Sequence, residues 1–271
     1  MERREMNIVV CIKEIYDPEA TIDSFRLDSA TRTLVSSAKV LKVVNPFDEQ
    51  AVEAALRIKD KVGAKVTVLS LGNNLDRVVV KKPLHMGADE LILLEDEAYV
   101  GGDSWSTARA LSAAITKIGS CDLVLCGRQA ADSNAGQTGL GIAEFLGLPC
   151  VTLARKVEVD GGTALIERVI TDGYETVEVS LPAVVTVSNE LGQARYPAIK
   201  NIAKSNAIKP IVWKPADIGL APDACGAPGQ RLQALSLFLP VFEATCEIVT
   251  GETVQEAARN LAVRLREERI L

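Results

Sequence analysis

Aromatic residues make up only 4% of this 271-residue chain, so its core must be built from Val, Ile, Leu and Ala. There is one histidine, His85, in Pro83-Leu-His-Met-Gly87. A single histidine excludes a His-rich metal site and makes any Ser-His-Asp chemistry depend on that one side chain. His85 reads as structural or surface. The six cysteines are Cys11, Cys121, Cys126, Cys150, Cys225 and Cys246, and none forms a Cys-x-x-Cys pair. Three of them sit in apolar, strand-like runs and read as small core residues. No apolar run approaches the ~18 residues of a membrane span. Residues 1–6 are charged, with no apolar signal core after them. The expected location is therefore the cytoplasm, a reducing compartment. Net charge is −6 and no dense basic block occurs, which argues against nucleic-acid binding. Nucleophile elbow, P-loop and metal-spacing motifs are all missing. The chain offers binding features but little catalytic machinery.

What is present is an ordinary globular composition, 48% apolar and 24% charged, enough for one large or two modest domains. Its centre is Asp122-Leu-Val-Leu-Cys-Gly-Arg-Gln-Ala-Ala-Asp-Ser-Asn-Ala-Gly-Gln-Thr-Gly139. Leu123 to Cys126 reads as a buried parallel strand that Gly127 ends. A polar loop follows, and Gln137 to Leu146 reads as a helix. A strand, a Gly-containing loop and a helix N-terminus together make a ready anion site. Gly136 lets the backbone approach a phosphate, the Thr138 hydroxyl can donate to one, and Asp132 is placed to accept from ribose hydroxyls. The plain alternative is a βα connection whose glycines only make the turn.

The first half alternates strands and helices. Asn7 to Ile12 is a buried strand. Asp23 to Leu27 and Thr33 to Ser36 can pair as a hairpin around Asp28-Ser-Ala-Thr-Arg32. Asn45 and Pro46 suit the N-cap and first position of a helix. Lys65 to Leu71 is a strand ending at Gly72. Leu75 to Met86 is helical with a kink or break at Pro83. Glu90 to Leu94 is a strand, and Asp103 caps a helix that Gly119 stops. This order predicts an α/β fold with a parallel sheet wrapped on both faces. Ligands gather beyond the C-terminal ends of such strands. Three chain positions meet there: the region after Cys11, Leu71-Gly72, and Gly127 to Thr138. That convergence favours a nucleotide, although Lys13-Glu-Ile-Tyr-Asp-Pro18 stands where a Gly-x-Gly-x-x-Gly would follow the first strand.

The second half changes character. Val151 to Val159, Ala164 to Ile170, Glu175 to Leu181 and Ala183 to Ser188 read as strands added to the same sheet, with turns at Gly161-Gly162 and Asp172-Gly173. In residues 189–205, Pro197 suits a helix N1 position and Ala198 to Lys204 can make about two turns. Arg195, Lys200 and Lys204 surround Ile199 and Ile202. Ile199 reads either as a core residue of a small amphipathic helix or as a basic-rimmed apolar anchor for an acidic partner. Residues 206–240 are Pro- and Gly-containing and weakly patterned, and read as an arm lying on another surface or as a mobile linker. Phe242 to Val249 reads as a strand. Thr253-Val-Gln-Glu256 reads as a capping box opening an amphipathic helix. The domain reading is an α/β nucleotide-binding domain over 1–205 and an arm and helix over 206–271.

Segments spread over nearly the whole chain resemble the β subunit of electron transfer flavoproteins. They are Val10-Cys-Ile-Lys13, Asn45-Pro-Phe47, Met86-Gly-Ala-Asp89, Asp122 to Ala130 with Gln137-Thr-Gly139, Leu181-Pro-Ala-Val-Val-Thr186, and Arg195-Tyr196 with Asn201-Ile202. The resemblance implies a three-layer domain of adenine-nucleotide-hydrolase-like topology, with an arm and helix that wrap a larger α subunit. It implies an electron carrier rather than a stand-alone enzyme. The carrier would take electrons from acyl-CoA or other dehydrogenases, as in fatty acid oxidation, and pass them to a downstream acceptor. FAD is shared with the α subunit. The β subunit binds AMP in the common type, or a second FAD in electron-bifurcating types that use NADH. Gln137-Thr138 is similar to the AMP-type loop, while Gly127-Arg-Gln129 is also similar to bifurcating relatives. AMP is the expectation. Carried over by motif, the nucleotide contacts are Cys11, Asn45, Pro46, Phe47, Asp48, Leu71, Gly127, Arg128, Gln129, Ala130, Ala131, Asp132, Ser133, Asn134, Ala135, Gly136, Gln137 and Thr138. Partner docking falls to Arg195, Tyr196, Ile199, Lys200 and Ile202, with Ile199 as the inserting aliphatic residue. The rival readings are an ATP-using enzyme, with Arg128 and Asp132 as its only loop candidates, and an AMP-sensing module.

Overall fold

Apolar runs with almost no polar interruption become strands covered on both faces. The computed structural model describes residues 5–28, 33–37, 39–238 and 246–271. In chain order the strands of the first half are β1 (Met6–Ile12), β2 (Glu14–Tyr16), β3 (Phe25–Asp28), β4 (Thr33–Ser36), β5 (Lys42–Val44), β6 (Ala64–Gly72), β7 (Glu90–Glu95) and β8 (Leu123–Gly127). The helices among them are α1 (Pro46–Val62), α2 (Arg77–Val80), α3 (Lys82–Met86) and α4 (Ser104–Ile118), and α5 (Thr138–Leu146) follows β8. Then come β9 (Cys150–Asp160), β10 (Thr163–Ile170), β11 (Gly173–Ser180), β12 (Ala183–Val187), α6 (Ile199–Ser205), β13 (Ile211–Trp213), α7 (Gly226–Gly229) and α8 (Val254–Glu267).

Among the described residues, nine strands form one sheet in the order β11-β10-β9-β12-β8-β1-β6-β7-β13. The seven strands from β9 to β13 in that order run parallel, and β10 and β11 extend the sheet as antiparallel neighbours. The period of two divides the strand side chains between two apolar layers. Ile8, Val10, Ile12, Leu123 and Leu125 join the layer with α1 and α3, while Val9, Cys11, Val124 and Cys126 join the layer with α4 and α5. The result is the expected three-layer α/β architecture. From β1 the chain winds outward through β6 and β7, then α4 returns it to β8 on the other side of β1. The strand order therefore reverses between β1 and β8, where ligand crevices form in open α/β sheets.

Three local expectations are corrected. The helical stretch before Met86 breaks at Lys81 rather than Pro83, because Pro83 fits the unbonded first turn of α3. Helix α6 starts at Ile199, not at Pro197, since the N–H of its N-cap Ala198 goes instead to the His85 carbonyl at 3.3 Å. The weakly patterned stretch after residue 205 supplies an edge strand, β13, parallel to β7. Of the expected strand Phe242 to Val249, residues 242–245 lie outside the described residues, and Cys246 to Val249 are not a strand. The expected turn at residues 29–32 also lies outside them.

The chain divides into two compact units, Met1–Arg26 with Leu34–Leu235, and Leu27–Thr33 with Ser236–Leu271. The cavity described below belongs to the first. In the second, Thr253 Oγ1 accepts from the Glu256 N–H at 3.2 Å and starts α8. The Glu256 carboxylate accepts from the Glu252 N–H at 3.0 Å rather than from Thr253, so the box closes one residue early. Among the described residues, no helix is long and apolar enough to cross a membrane.

Candidate functional site

At the reversal point the C-terminal ends of β1, β6 and β8 open into a cavity of about 460 Å³. That lies within the ~300–1,000 Å³ of ordinary small-molecule sites. Of the residues carried over by motif, Cys11, Asn45, Asp48, Leu71, Gly127, Arg128, Gln129, Ala130, Ser133, Ala135, Gly136, Gln137 and Thr138 line it. Pro46, Phe47, Ala131, Asp132 and Asn134 do not. Pro46 begins α1, and Phe47 lies under the Arg128 guanidinium, 5.4 Å from its carbon. Asn134 accepts from the Gln129 side chain at 2.9 Å. Asp132, read from sequence as a ribose acceptor, instead takes the Lys13 ammonium on both carboxylate oxygens, at 2.7 and 2.8 Å. The sequence reading missed a whole wall: Gly101 to Ser104 and Thr107, at and before the start of α4. It also missed Lys13. The Asp103 cap is the local sign of that wall, and Lys13 lies in the region after Cys11 without a signal of its own as a lining residue.

Two buried polar residues at the start of α1, its N-cap Asn45 and Asp48, hold the cavity together. Asn45 stands at the N-cap but makes no side-chain cap bond. Its Nδ2 donates to the Gln129 carbonyl at 2.8 Å, and its Oδ1 accepts from the Ala131 N–H at 3.0 Å. It fastens the loop after β8 to the start of α1. Asp48 accepts from the Lys13 N–H at 2.7 Å and from the Gly127 N–H at 3.0 Å. One carboxylate thus ties the ends of β1 and β8 side by side. Both its oxygens are occupied by the protein's own backbone, so its role is positional. Burial pushes the Asp48 carboxyl up to about 7, outweighing the N–H groups that favour its charge.

That shift has a signed consequence. The native state holds the Asp48 proton more tightly than the unfolded chain, whose carboxyl sits near ~3.9. The stability it contributes is complete below about pH 4, falls as pH rises, and is gone above about 7. Relative to an Asp48→Asn variant, the wild-type melting temperature should therefore fall between pH 4 and 7. Thermal scans across that range check this, and parallel profiles for the two proteins would contradict it.

The floor is uncharged. Cys11 and Cys126 are register partners on β1 and β8, and both are buried. The hydrogen bond to Cys11, together with burial, holds the Cys126 thiol well above its ordinary range. A protonated, buried thiol is no nucleophile. The far end is electropositive. Gln137, at the N-cap of α5, makes no side-chain cap bond, and its Oε1 accepts from Ser104 Oγ at 2.8 Å. As at any helix start, the first-turn N–H groups of α5 have no intrahelical partner, and Thr138 and Gly139 of that turn line the cavity. Gly136 turns the chain into that helix with φ +63°, a left-handed conformation that favours glycine. Asp103 is committed elsewhere. Burial raises its carboxyl, but the N–H groups of Ser106, Arg231 and Leu232 outweigh this and hold it below the usual range. An uncapped helix start, the hydroxyls of Ser104, Thr107, Ser133 and Thr138, and a neutral floor suit a phosphorylated nucleoside.

A second feature lies in residues 189–205. Ile199 is 86% exposed and Tyr196 79% exposed, so Ile199 is not a core residue. Their surroundings are fixed. Arg195 donates to Glu53 at 2.7 Å and pairs with Asp60 at 2.9 Å, and Asn201 Nδ2 donates to the Met86 carbonyl at 3.3 Å. Arg195 therefore anchors the loop to α1, and the basic rim reduces to Lys200 and Lys204.

Residues 33–218 match the electron transfer flavoprotein domain family. The chain is 40% identical to the electron transfer flavoprotein subunit beta of Thermoanaerobacterium thermosaccharolyticum over 267 residues, covering 98% of this chain and all of the relative. It is 37% identical to the caffeyl-CoA reductase-Etf complex subunit CarD of Acetobacterium woodii, with the same coverage. It is 37% identical to the electron transfer flavoprotein subunit beta of Clostridium acetobutylicum, over 97% of this chain and 99% of that one.

Proposed function

This chain belongs to the electron transfer flavoprotein β subunit family, and we propose that it carries electrons as half of a heterodimer and holds AMP in the cavity between β1, β6 and β8. The α subunit is its partner, and the flavin that changes redox state is the FAD shared with that subunit. Electrons come from acyl-CoA or other dehydrogenases, which dock on the Tyr196–Ile202 surface, and leave to a downstream acceptor. The observation that carries the nucleotide part is the uncapped start of α5 opening into a cavity at the strand reversal. Lys200 and Lys204 beside exposed Ile199 support an acidic docking partner. The cavity has a neutral floor and hydroxyls on its walls but, among the described residues, no activated nucleophile, which favours a resident nucleotide over turnover of one.

A second reading places a second FAD in the same cavity and couples the complex to NADH. The extension of the cavity along Gly101 to Ser104 and Thr107 favours it, since a longer ligand needs that wall. Acid release and mass spectrometry of nucleotides from the co-purified heterodimer separates the readings. One FAD and one AMP per heterodimer is the expected result. Two FAD would establish the second reading, and a single FAD with no other nucleotide would refute both.

A further inference from the structure

Among the described residues, four charged ones line the cavity: Lys13, Asp48, Asp103 and Arg128. Asp48 and Asp103 are bound on both oxygens by the chain's own N–H groups. The Arg128 guanidinium lies over Phe47 and donates to Asn189 Oδ1 at 3.2 Å. Lys13 differs from all three. Its backbone N–H is fixed on Asp48, but its ammonium is held by Asp132, which does not line the cavity. Both side chains of that pair are well exposed, at 47% and 39%. Exposed pairs of this kind are weak and exchange partners readily. The Lys13–Asp132 bridge also joins the loop after β1 to the loop after β8, so it crosses the rim of the cavity.

Resting on the nucleotide reading above, we propose that Lys13 is the residue that reads the ligand's phosphate, and that its bridge to Asp132 is a latch which a phosphomonoester opens by taking over the ammonium. Asp132 competes with the ligand for Lys13 from outside the cavity. No bond is made or broken; one ion pair replaces another. In the partly enclosed cavity, the pair with a phosphate dianion is less screened than the exposed pair it replaces. The latch thus discriminates phosphorylated from unphosphorylated nucleosides, because adenosine gives Lys13 no reason to leave Asp132.

The test is calorimetric titration of AMP and of adenosine into the complex of the full chain with its α subunit, stripped of nucleotide. Lys13→Met should weaken AMP about tenfold more than adenosine, and Lys13→Arg should restore most of the difference. Asp132→Asn should tighten AMP severalfold and leave the adenosine affinity behind. The salt dependence of AMP binding should become shallower in Lys13→Met. An AMP-to-adenosine ratio unchanged in Lys13→Met would overturn the proposal. So would an Asp132→Asn variant that loses AMP and adenosine equally, since Asp132 would then touch the nucleoside. If the unaltered complex binds neither ligand, the nucleotide reading itself fails, which is a different result from intact discrimination that survives the loss of Lys13.

Discussion

Gly127→Ala should release the nucleotide. A Cβ at position 127 would lie 2.4 Å from Asp48 Oδ1, 2.7 Å from the Phe47 carbonyl carbon and 2.8 Å from the Asp48 nitrogen. Two of these neighbours are backbone atoms in the first turn of α1, whose inner face, including Ala51, Val52 and Ala55, is fully buried. The helix cannot retreat without opening the layer between it and the sheet. The loop after β8 must shift instead, and the Gly127 N–H bond to Asp48 goes with it. Overpacking of this kind costs about 1–3 kcal/mol, and a lost buried hydrogen bond adds ~1–3 kcal/mol. The expected outcome is a melting temperature lower by roughly 5–20 °C. Nucleotide content of the purified complex should fall to near zero. Gly162→Ala is the matched control, because nothing lies within 4 Å of a Cβ there. Full nucleotide retention in Gly127→Ala would show that the β8–α1 contact does not shape the site.

Ile199→Ala should cripple docking while leaving the cavity intact. The side chain is exposed on a short helix whose base is clamped by Arg195 on Glu53 and by Asn201 on Met86. Such an anchor is already ordered before a partner arrives, so little entropy is lost on burial. Truncating an interface anchor costs about 2 kcal/mol or more. That corresponds to roughly a thirtyfold rise in the apparent KM of a dehydrogenase for the complex. Steady-state electron transfer from an acyl-CoA dehydrogenase measures it, with flavin and nucleotide content as the control. A KM within twofold of the unaltered complex would remove Ile199 from the docking surface.

The fold was legible where a local pattern decides the outcome. The apolar runs at Asn7 to Ile12 and Leu123 to Cys126 have no way to be solvated and became central strands. Asp103 begins its helix as its residue type suggests, with Oδ1 accepting from the Ser106 N–H at 2.9 Å. What was not legible depends on distant chain. The second oxygen of the same Asp103 holds Arg231 and Leu232, more than a hundred positions away. Asn45 looks like a cap and serves instead as a fastener for a loop eighty-odd residues on. The loop from Gly127 to Thr138 was visible because its glycines and its strand-to-helix order are local. The Gly101 to Thr107 wall also joins a strand to a capped helix, but nothing local says that it faces the loop after β8 across the cavity. Lys13 escaped for the same reason, since its meaning lies in Asp132 across the rim.

The measurement that bears most directly on the account is a crystal structure of the heterodimer with its natural nucleotide retained. The expected result is an adenylate in the cavity between Cys11, Leu71 and Thr138, with a phosphate at the first turn of α5 and the Lys13 ammonium turned from Asp132 toward it. A nucleotide bound elsewhere on this chain, with the α5 N-terminus facing only solvent, would contradict it.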